Sequence, residues 1–416
     1  MIVATREKAS RAPAKAGSSR SRPFSMVRLA RLHDGLARHV GVGRAPGLVA
    51  LIDVGGREHV EVLGKAEYDR NVPMARDTIF RLASSTKPIT AAGAMLLVEE
   101  CRLRLDDPLD HWLPELANRQ VLRTIDSQLD DTVPARRSIT LRDLLTFRSG
   151  YGETLFLSPG CPFQRALSAA GLSLAEWPFA GTPEEFMARL GKLPLVHQPG
   201  KRWLYHTSGE ILGVLLARVT GMTLGEFLTE RIFEPLGMVD TGFSVPKHDL
   251  GRLPPCYATD QVTGKLEMLH AASSGYAAAP PPFESGAGGL VSTADDLRAF
   301  GSMLLARGDM NVLSRASLEL MARDQLTTEQ KASSPFFPDF WDAYGWGLGM
   351  GVTTAHVDVG LAPGRFGWDG AYGTSLWVDP RRDLAGVLMM QRTPDQLEIP
   401  PVARDFWTLV YQLVDE

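Results

Sequence analysis

The sequence predicts an α+β protein in which one antiparallel sheet is built from both ends of the chain, with a mainly helical region inserted between the two parts. Two observations lead to this fold class. Runs with strand character cluster near the two ends of the chain, at 47–54, 59–64, 344–352, 374–379 and 384–392. Between about 106 and 284 the pattern changes to short apolar helices interrupted by proline and glycine. Segregated strands and helices are typical of α+β folds, whereas Rossmann folds and TIM barrels alternate them.

This pattern predicts a division of the chain into domains. We expect residues 27–105 and 285–416 to form a discontinuous sheet domain and residues 106–284 to form a mainly helical domain. The first 26 residues carry six basic side chains against one acidic side chain and have no apolar core of the kind that a secretory signal needs. They are predicted to be a disordered tail.

The elements of the sheet domain follow from hydrophobic periodicity. An amphipathic helix is predicted at 27–40, and Gly55-Gly56 is a hairpin signal between the first two strands. Residues 85–100 are apolar on nearly every side, and such a helix is normally buried. A helix capped by Ser292 and Thr293 is predicted over 297–305, and a last helix over 402–414.

The inserted region is predicted to hold short helices joined by loops. The clearest helical segments are 141–147, 184–191, 210–221 and 224–233. The stretch 270–288 is rich in glycine, proline and alanine and is predicted to be a loop.

Composition excludes several classes of protein. With 416 residues, 44% of them hydrophobic, and a formal charge of −4, the chain has globular composition and lacks the basic excess of a nucleic-acid binder. Its three cysteines lie too far apart for a disulfide framework or a zinc site, and its nine histidines lack metal-binding spacing. No P-loop, GxGxxG fingerprint or GxSxG elbow occurs, and no apolar run spans a membrane. We therefore expect a cytoplasmic protein with no cofactor, no metal, no nucleic-acid partner and no membrane partner.

Ser84 and Lys87 are the first candidates for chemistry. They lie three residues apart at the start of the buried helix, so both face the same way, one turn from each other. A helix N-terminus favours an alkoxide, and desolvation lowers the pKa of a buried lysine. A neutral amine beside Ser84 can accept its proton and turn a weak hydroxyl into a nucleophile. The alternative is that Ser84 caps the helix and Lys87 is a surface charge.

A second Ser-x-x-Lys sequence occurs at Ser244 and Lys247. It follows a turn and has no apolar helix behind it. Only the first copy has the context that nucleophilic catalysis needs.

The segment FRLASSTKPI at 80–89 resembles the active-site segment of class C β-lactamases and family VIII carboxylesterases, in the serine β-lactamase-like superfamily. Further motifs of that family follow in the same order, namely LLTFRSG (144–150), QPG (198–200), YHTSG (205–209), FEPLGM (233–238) and GAGGLVST (286–293). The resemblance covers about residues 30–415. It implies a β-lactamase/penicillin-binding-like fold and a serine hydrolase that forms an acyl-enzyme.

The resemblance also implies roles for residues far from Ser84 in the sequence. Tyr205 matches the family's catalytic tyrosine, which acts as general base or proton relay, and Lys87 could supply the cation that a phenolate needs. The alternative for Tyr205 is an aromatic staple at a helix entrance. The candidate for the family's third motif is Trp368-Asp369-Gly370. The oxyanion hole carried over from the family consists of the backbone N–H groups of Ser84 and Ala371.

The third motif departs from the Lys-Thr-Gly of β-lactamases, and this bears on the substrate. Trp368 replaces the lysine that helps to bind the carboxylate of penicillins, and Asp369 would repel an anion if it faced the pocket. With Gly370, these residues are the predicted substrate-binding segment. We therefore expect a carboxylesterase acting on neutral esters.

The alternative functions are an acyltransferase that uses an alcohol or amine acceptor, a β-lactam or D-amino-acid peptide hydrolase, and a non-catalytic binding protein on the same fold. The presence of Ser84, Lys87 and Tyr205 disfavours the last of these.

Several neighbouring residues stay outside the predicted catalytic set. His206 is expected to lie behind the site or at its rim. Thr207 through Glu210 has the pattern of a capping box, so Thr207 is expected only to start a helix. Aromatic residues that could shape an apolar acyl pocket, none of them singled out, are Trp203, Trp341, Trp346, Trp377 and Phe156.

Overall fold

The computed structural model describes residues 24–41, 44–68, 70–154, 157–260, 262–272, 276–307, 312–395 and 399–414. The tail expected at 1–26 lies outside the described residues, apart from its last three positions, of which Met26 already belongs to the first helix. Phe156 also lies outside them.

A seven-stranded antiparallel sheet joins the two ends of the chain. Side by side, its strands are β2 (Arg57–Gly64), β1 (Gly47–Val54), β13 (Leu384–Met389), β12 (Thr374–Asp379), β11 (Phe366–Gly370), β10 (Gly351–Thr353) and β9 (Tyr344–Trp346). β1 pairs directly with β13, so that Val49 lies opposite Met389. The predicted sheet built from both ends of the chain is therefore confirmed.

The remaining strands form two-stranded pairs. These are β3 (Phe80–Arg81) with β8 (Val291–Ser292), β4 (Gln120–Leu122) with β5 (Thr132–Pro134), and β6 (Cys256–Thr259) with β7 (Leu266–His270). The last two pairs lie in the region expected to be mainly helical. Their strands of three to five residues are too short to show a clear alternation of polar and apolar positions.

The α-helices are α1 (Met26–Ala37), α2 (Thr86–Glu99), α3 (Leu141–Leu145), α4 (Pro162–Ala169), α5 (Pro183–Leu190), α6 (Thr207–Thr220), α7 (Leu224–Leu228), α8 (Glu234–Leu236), α9 (Ala294–Leu304), α10 (Arg315–Met321), α11 (Thr328–Ala332), α12 (Phe340–Ala343) and α13 (Pro401–Val414). A π-helical turn at Thr229–Phe233 joins α7 to α8, and 3-10 turns lie at Ala83–Ser85, Pro114–Leu116, Leu174–Glu176 and Lys247–Arg252.

One strand prediction was wrong, and one strand was not predicted. The expected strand at 344–352 is a hairpin, β9 and β10, whose turn places Gly349 at a φ of 79°, in the left-handed region that glycine tolerates. Trp368, Asp369 and Gly370, for which the sequence analysis assigned no element, lie in strand β11.

The sheet is covered on both faces, as the sequence of β1 shows. Val49 and Leu51 belong to the core cluster that contains α2 and α9, whereas Ala50 and Ile52 belong to the cluster that contains α1 and α13. Because side chains alternate along a strand, an uninterrupted apolar run of this kind fits a strand buried on both faces.

α2 is the buried helix that the sequence predicts. Its residues from Thr86 to Leu97 are all buried. α6 and α7 pack closely against it, since a Cβ on Gly93 would lie 3.0 Å from the ring of Phe227. This packing places the start of α2, and with it Ser84 and Lys87, between the sheet and the helical region.

Within the described residues, no single helix meets the length and hydropathy that crossing a bilayer requires. One pair of helices, Thr207–Thr220 with Leu224–Leu236, meets the requirement only when the two are joined across an 80° bend.

Candidate active site

Ser84 lies in the 3-10 turn that leads into α2. The residue before it, Ala83, has a φ of 46°, a left-handed conformation that is uncommon for a residue other than glycine. The N-cap of α2 is Ser85, and neither helical segment has a side-chain cap. The alternative in which Ser84 serves as the helix cap is therefore wrong, and its hydroxyl is available for another partner.

That partner is the amine of Lys87. Lys87 is only 2% exposed, and its Nζ lies 2.8 Å from Oγ of Ser84 and donates to the carbonyl of Ala287 at 2.7 Å. Burial lowers the pKa of Lys87 to about 7, although the nearby charge of Glu210 acts in the opposite direction. Near neutral pH the amine is therefore uncharged in a large share of molecules, and the Ser84 hydroxyl can then donate to it.

Tyr205 is the third of the predicted catalytic residues and lies beside Lys87. Nζ of Lys87 lies 4.7 Å from the centre of its ring, and its hydroxyl accepts a hydrogen bond from Nε1 of Trp368 at 2.8 Å. Burial raises the pKa of Tyr205 to about 12, although the nearby side chain of Ser84 acts to lower it. The phenol is therefore protonated at neutral pH, contrary to the expectation that Lys87 would favour a phenolate, and Tyr205 is suited to relay a proton.

The backbone around Tyr205 is held in a defined shape. The carbonyl of Tyr205 accepts from the N–H of Glu153 at 3.0 Å and from that of Thr207 at 3.2 Å. The second bond closes a γ-turn at His206, whose φ of 78° and ψ of −69° are rarely populated. The helix α6 begins at Thr207, but the predicted capping box is wrong, because no side chain caps this helix.

The strand β11 passes directly against the turn that carries Ser84. A Cβ added to Gly370 would lie 2.0 Å from the carbonyl oxygen of Leu82, so only glycine allows this approach. Thr374 strengthens the contact by donating to the same carbonyl at 2.7 Å. Ala371, the next residue after the strand, lines the same cavity as Ser84, and the oxyanion hole formed by their N–H groups stays a prediction.

Trp368 and Asp369 occupy different environments. Trp368 is buried and donates to Tyr205, so besides lining the cavity it holds the phenol oxygen in place. Asp369 is half-buried in the cavity wall and accepts from Nε1 of Trp377 at 2.9 Å. Burial raises the pKa of Asp369, opposed by its hydrogen bonds and by the charge of Arg365.

The cavity in front of Ser84 has a volume of about 300 Å³ and a largely apolar wall, to which aromatic and aliphatic side chains both contribute. Of the aromatic candidates named from the sequence, Trp377 lines it, whereas Trp203 and Trp346 pack behind Tyr205. The sequence analysis missed most of the wall, including Phe336, Phe337, Phe340, Tyr344 and Met390. The run Phe336-Phe337-Pro338-Asp339-Phe340 is the aromatic signal in the sequence that indicates part of this wall.

The second Ser-x-x-Lys sequence has none of this geometry. Ser244 is half-buried in a loop, and Lys247 is exposed at the start of a 3-10 turn. This pair provides matched control positions for Ser84 and Lys87.

In the part of the chain that the structure describes, no group of three or more His, Cys, Asp and Glu side chains is arranged to hold a metal ion.

Known proteins are similar to this chain in sequence and in fold. A model of the Beta-lactamase family matches residues 34–404. Esterase EstB of Burkholderia gladioli is 31% identical, over 83% of this chain and 86% of its own length. Lovastatin esterase of Penicillium rubens is 33% identical, over 77% of this chain and 81% of its own length. Among solved structures, EstCE1, described as a hydrolase with promiscuous acyltransferase activity, superposes with a TM-score of 0.72 at 24% identity, covering 92% of this chain and 99% of its own.

Proposed function

The chain belongs to the Beta-lactamase family and is a serine hydrolase, and on that premise we propose that it is a carboxylesterase that cleaves neutral esters through an acyl-enzyme on Ser84. The observation that carries the proposal is the 2.8 Å contact between Oγ of Ser84 and the fully buried amine of Lys87. A hydroxyl beside an amine with a pKa near 7 has a base within reach at neutral pH.

Acylation begins when Oγ of Ser84 attacks the ester carbonyl and its proton passes to Nζ of Lys87. The tetrahedral oxyanion is held by the backbone N–H groups of Ser84 and Ala371. As the intermediate collapses, the C–O bond to the alcohol breaks and the leaving oxygen takes a proton, which Lys87 supplies through the hydroxyl of Tyr205. Lys87 is then neutral again, and the acyl group is bound to Ser84.

Deacylation repeats these steps with water as the nucleophile. Lys87, with Tyr205 as relay, accepts a proton from the water as it attacks the acyl carbonyl, and the same N–H pair holds the new oxyanion. Breaking the bond to Oγ releases the acid, and the proton returns to Ser84. The role of Tyr205 in both halves is to pass a proton while staying neutral, in keeping with its raised pKa.

The rate should depend on pH through Lys87. Because only the neutral amine can accept the Ser84 proton and its pKa is about 7, kcat/KM for a short-chain p-nitrophenyl ester should rise as pH increases through about 7 and then level off. A profile measured from pH 5 to 9 in buffers of constant ionic strength checks this. A rate that falls as pH rises through 7 would mean that a protonated group is required instead.

Substrate choice should favour neutral esters over β-lactams. The cavity wall is largely apolar, and Trp368, which stands where β-lactamases have a lysine, bonds to Tyr205 and leaves no cation at that position. We expect kcat/KM for p-nitrophenyl butyrate to exceed that for nitrocefin by about 100-fold or more, as the loss of one charged hydrogen bond and the presence of Asp369 both act against an anion. Faster turnover of nitrocefin would reverse the assignment to a β-lactam hydrolase.

Transfer of the acyl group to another acceptor would use the same residues. An alcohol that reaches the acyl-enzyme in place of water would give a new ester by the same proton transfers. Product analysis with an added alcohol separates the two outcomes: free acid as the main product supports the hydrolase, whereas a new ester as the main product identifies an acyltransferase.

A further inference from the structure

A buried carboxylate, Glu210, lies behind Lys87 and takes no part in the steps described above. It is 3% exposed. Its Oε1 accepts from Oγ of Ser285 at 2.7 Å and lies 3.2 Å from Nε2 of His206, and its Oε2 accepts from the N–H of Ala287 at 3.3 Å. A buried carboxylate is costly unless its oxygens are satisfied, and these three partners satisfy both of them.

Ala287 links Glu210 to Lys87 by hydrogen bonds from its own backbone. Ala287 gives its N–H to Glu210 and its carbonyl to Nζ of Lys87, at 2.7 Å. The segment around Ala287 has no room to shift toward α6, because a Cβ on Gly286 would lie 2.7 Å from the carbonyl oxygen of Gly209. The position of the acceptor that holds the amine is therefore fixed by the Glu210 carboxylate and by this close packing.

His206 links Glu210 to Tyr205, its neighbour in the chain. The γ-turn that directs Tyr205 has His206 at its centre, and the imidazole of His206 is buried against Glu210. A rarely populated backbone conformation persists only where the surroundings hold it, and the contact with Glu210 is one such restraint.

We infer that Glu210 is a positioning residue, which fixes the amine of Lys87 through Ala287 and the phenol of Tyr205 through His206. The inference rests on the proposed function, since it assigns a task to Glu210 in the same site. From the sequence, Glu210 was predicted only to belong to a capping box at the start of α6.

The charges around the site predict that a change at Glu210 alters the pKa of Lys87, and with it the dependence of the rate on pH. Lys87 contacts Ser84 and Tyr205, and the charge of Glu210 acts on its amine. His206 contacts Glu210 and also acts electrostatically on the buried Glu153. Burial acts to raise the pKa of Glu210, but hydrogen bonds from His206 and Ser285 and the charge of Lys87 hold it below its ordinary value. Glu210 is therefore charged at neutral pH, and its charge raises the pKa of Lys87. Removing that charge should lower the pKa of Lys87 further.

The test is the substitution Glu210→Gln, which keeps the shape of the side chain and removes its charge. We expect kcat to fall about 10- to 100-fold, because the amine and phenol lose their placement. We also expect the acidic limb of the kcat/KM profile to move to lower pH by about one unit. A loss of rate with the limb unmoved would indicate a merely structural role and would overturn the inference, as would a wild-type rate.

Glu284→Gln is the matched control. Glu284 is a half-buried carboxylate next to Ser285 in the chain, but its partner is the N–H of Gly225 in α7, from which it accepts at 2.7 Å. We expect its pH profile to match that of the wild type. A limb that moved equally in both variants would count against a specific role for Glu210.

If Glu210→Gln does not fold, Ser285→Ala tests the same inference. This change retains the carboxylate but removes its shortest hydrogen bond, so kcat should fall several-fold, and Ser285→Thr, which keeps the hydroxyl, should restore it. A wild-type kcat in Ser285→Ala, or no recovery in Ser285→Thr, would contradict the inference. Failure of the proposed function is distinguishable: in that case the wild-type protein itself would not be labelled at Ser84 by a fluorophosphonate, whatever the Glu210 variants do.

Discussion

Ser84→Ala should reduce kcat for p-nitrophenyl butyrate by about 10⁴-fold or more. Without Oγ no acyl-enzyme can form, and what remains is the oxyanion hole and substrate binding acting on attack by water, which in serine hydrolases leaves a small residual catalysis. The fold should be unaffected, because the hydroxyl caps neither helical segment at the start of α2. Turnover with purified protein, together with thermal unfolding, measures both effects.

Ser244→Ala is the control for this substitution, since Ser244 heads the other Ser-x-x-Lys sequence and lies in a loop. It should hydrolyse the ester at the wild-type rate. If Ser84→Ala kept more than about a tenth of the activity while Ser244→Ala lost it, the nucleophile would have been assigned to the wrong serine.

Lys87→Met should lower kcat by about 100- to 10,000-fold, the range that general-base catalysis contributes. Methionine has a similar length but offers no base for the Ser84 proton and no donor to the carbonyl of Ala287. The rise in rate through pH 7 should disappear, because its titrating group is gone. Stability should be kept or improved at pH values below 7, where the wild-type protein must bury a charged amine.

Lys247→Met tests whether the loss is specific, since Lys247 is exposed and its removal should change neither the rate nor the pH profile. Persistence of the acidic limb near pH 7 in Lys87→Met would show that another group titrates there. The assignment of the general base would then have to be abandoned.

The parts of the fold that sequence patterns predict are those with long, strongly periodic segments. β1 is apolar at nearly every position because both faces of the central sheet are covered. α2 is apolar all round because the helix is buried on all sides. The hairpin of β9 and β10 was predicted as one strand because the run 344–352 has strand character on both sides of its glycines. The turn between the two strands lies at Gly347 and Gly349, which the local pattern alone did not identify as a turn. Pairing of a short strand such as β11 depends on its neighbours β10 and β12, which a local pattern does not contain.

In the candidate site, too, local sequence patterns predict contacts between residues that are close in the chain but not contacts that depend on tertiary packing. Ser84 and Lys87 are local, three residues apart, so helical geometry alone places them together. Tyr205 is more than a hundred residues away, and only the family resemblance indicated it. The contact between Trp368 and Tyr205 depends on tertiary packing, and so does the burial that keeps the phenol protonated.

Glu210 illustrates a different limit. Its position three residues after Thr207 fits a capping box, a local pattern, but its carboxylate bonds to Ser285 and to the N–H of Ala287 instead. Tertiary contacts here override a local preference, as they often do next to buried charges.

Covalent trapping tests the central claim most directly. The wild-type protein, treated with a fluorophosphonate at pH 8 and digested, should yield one modified peptide, the one that contains Ser84, and hydrolysis should be lost in proportion to labelling. Ser84→Ala should remain unlabelled, whereas Ser244→Ala should be labelled like the wild type. Label on a serine other than Ser84, or full ester hydrolysis after complete labelling, would contradict the account.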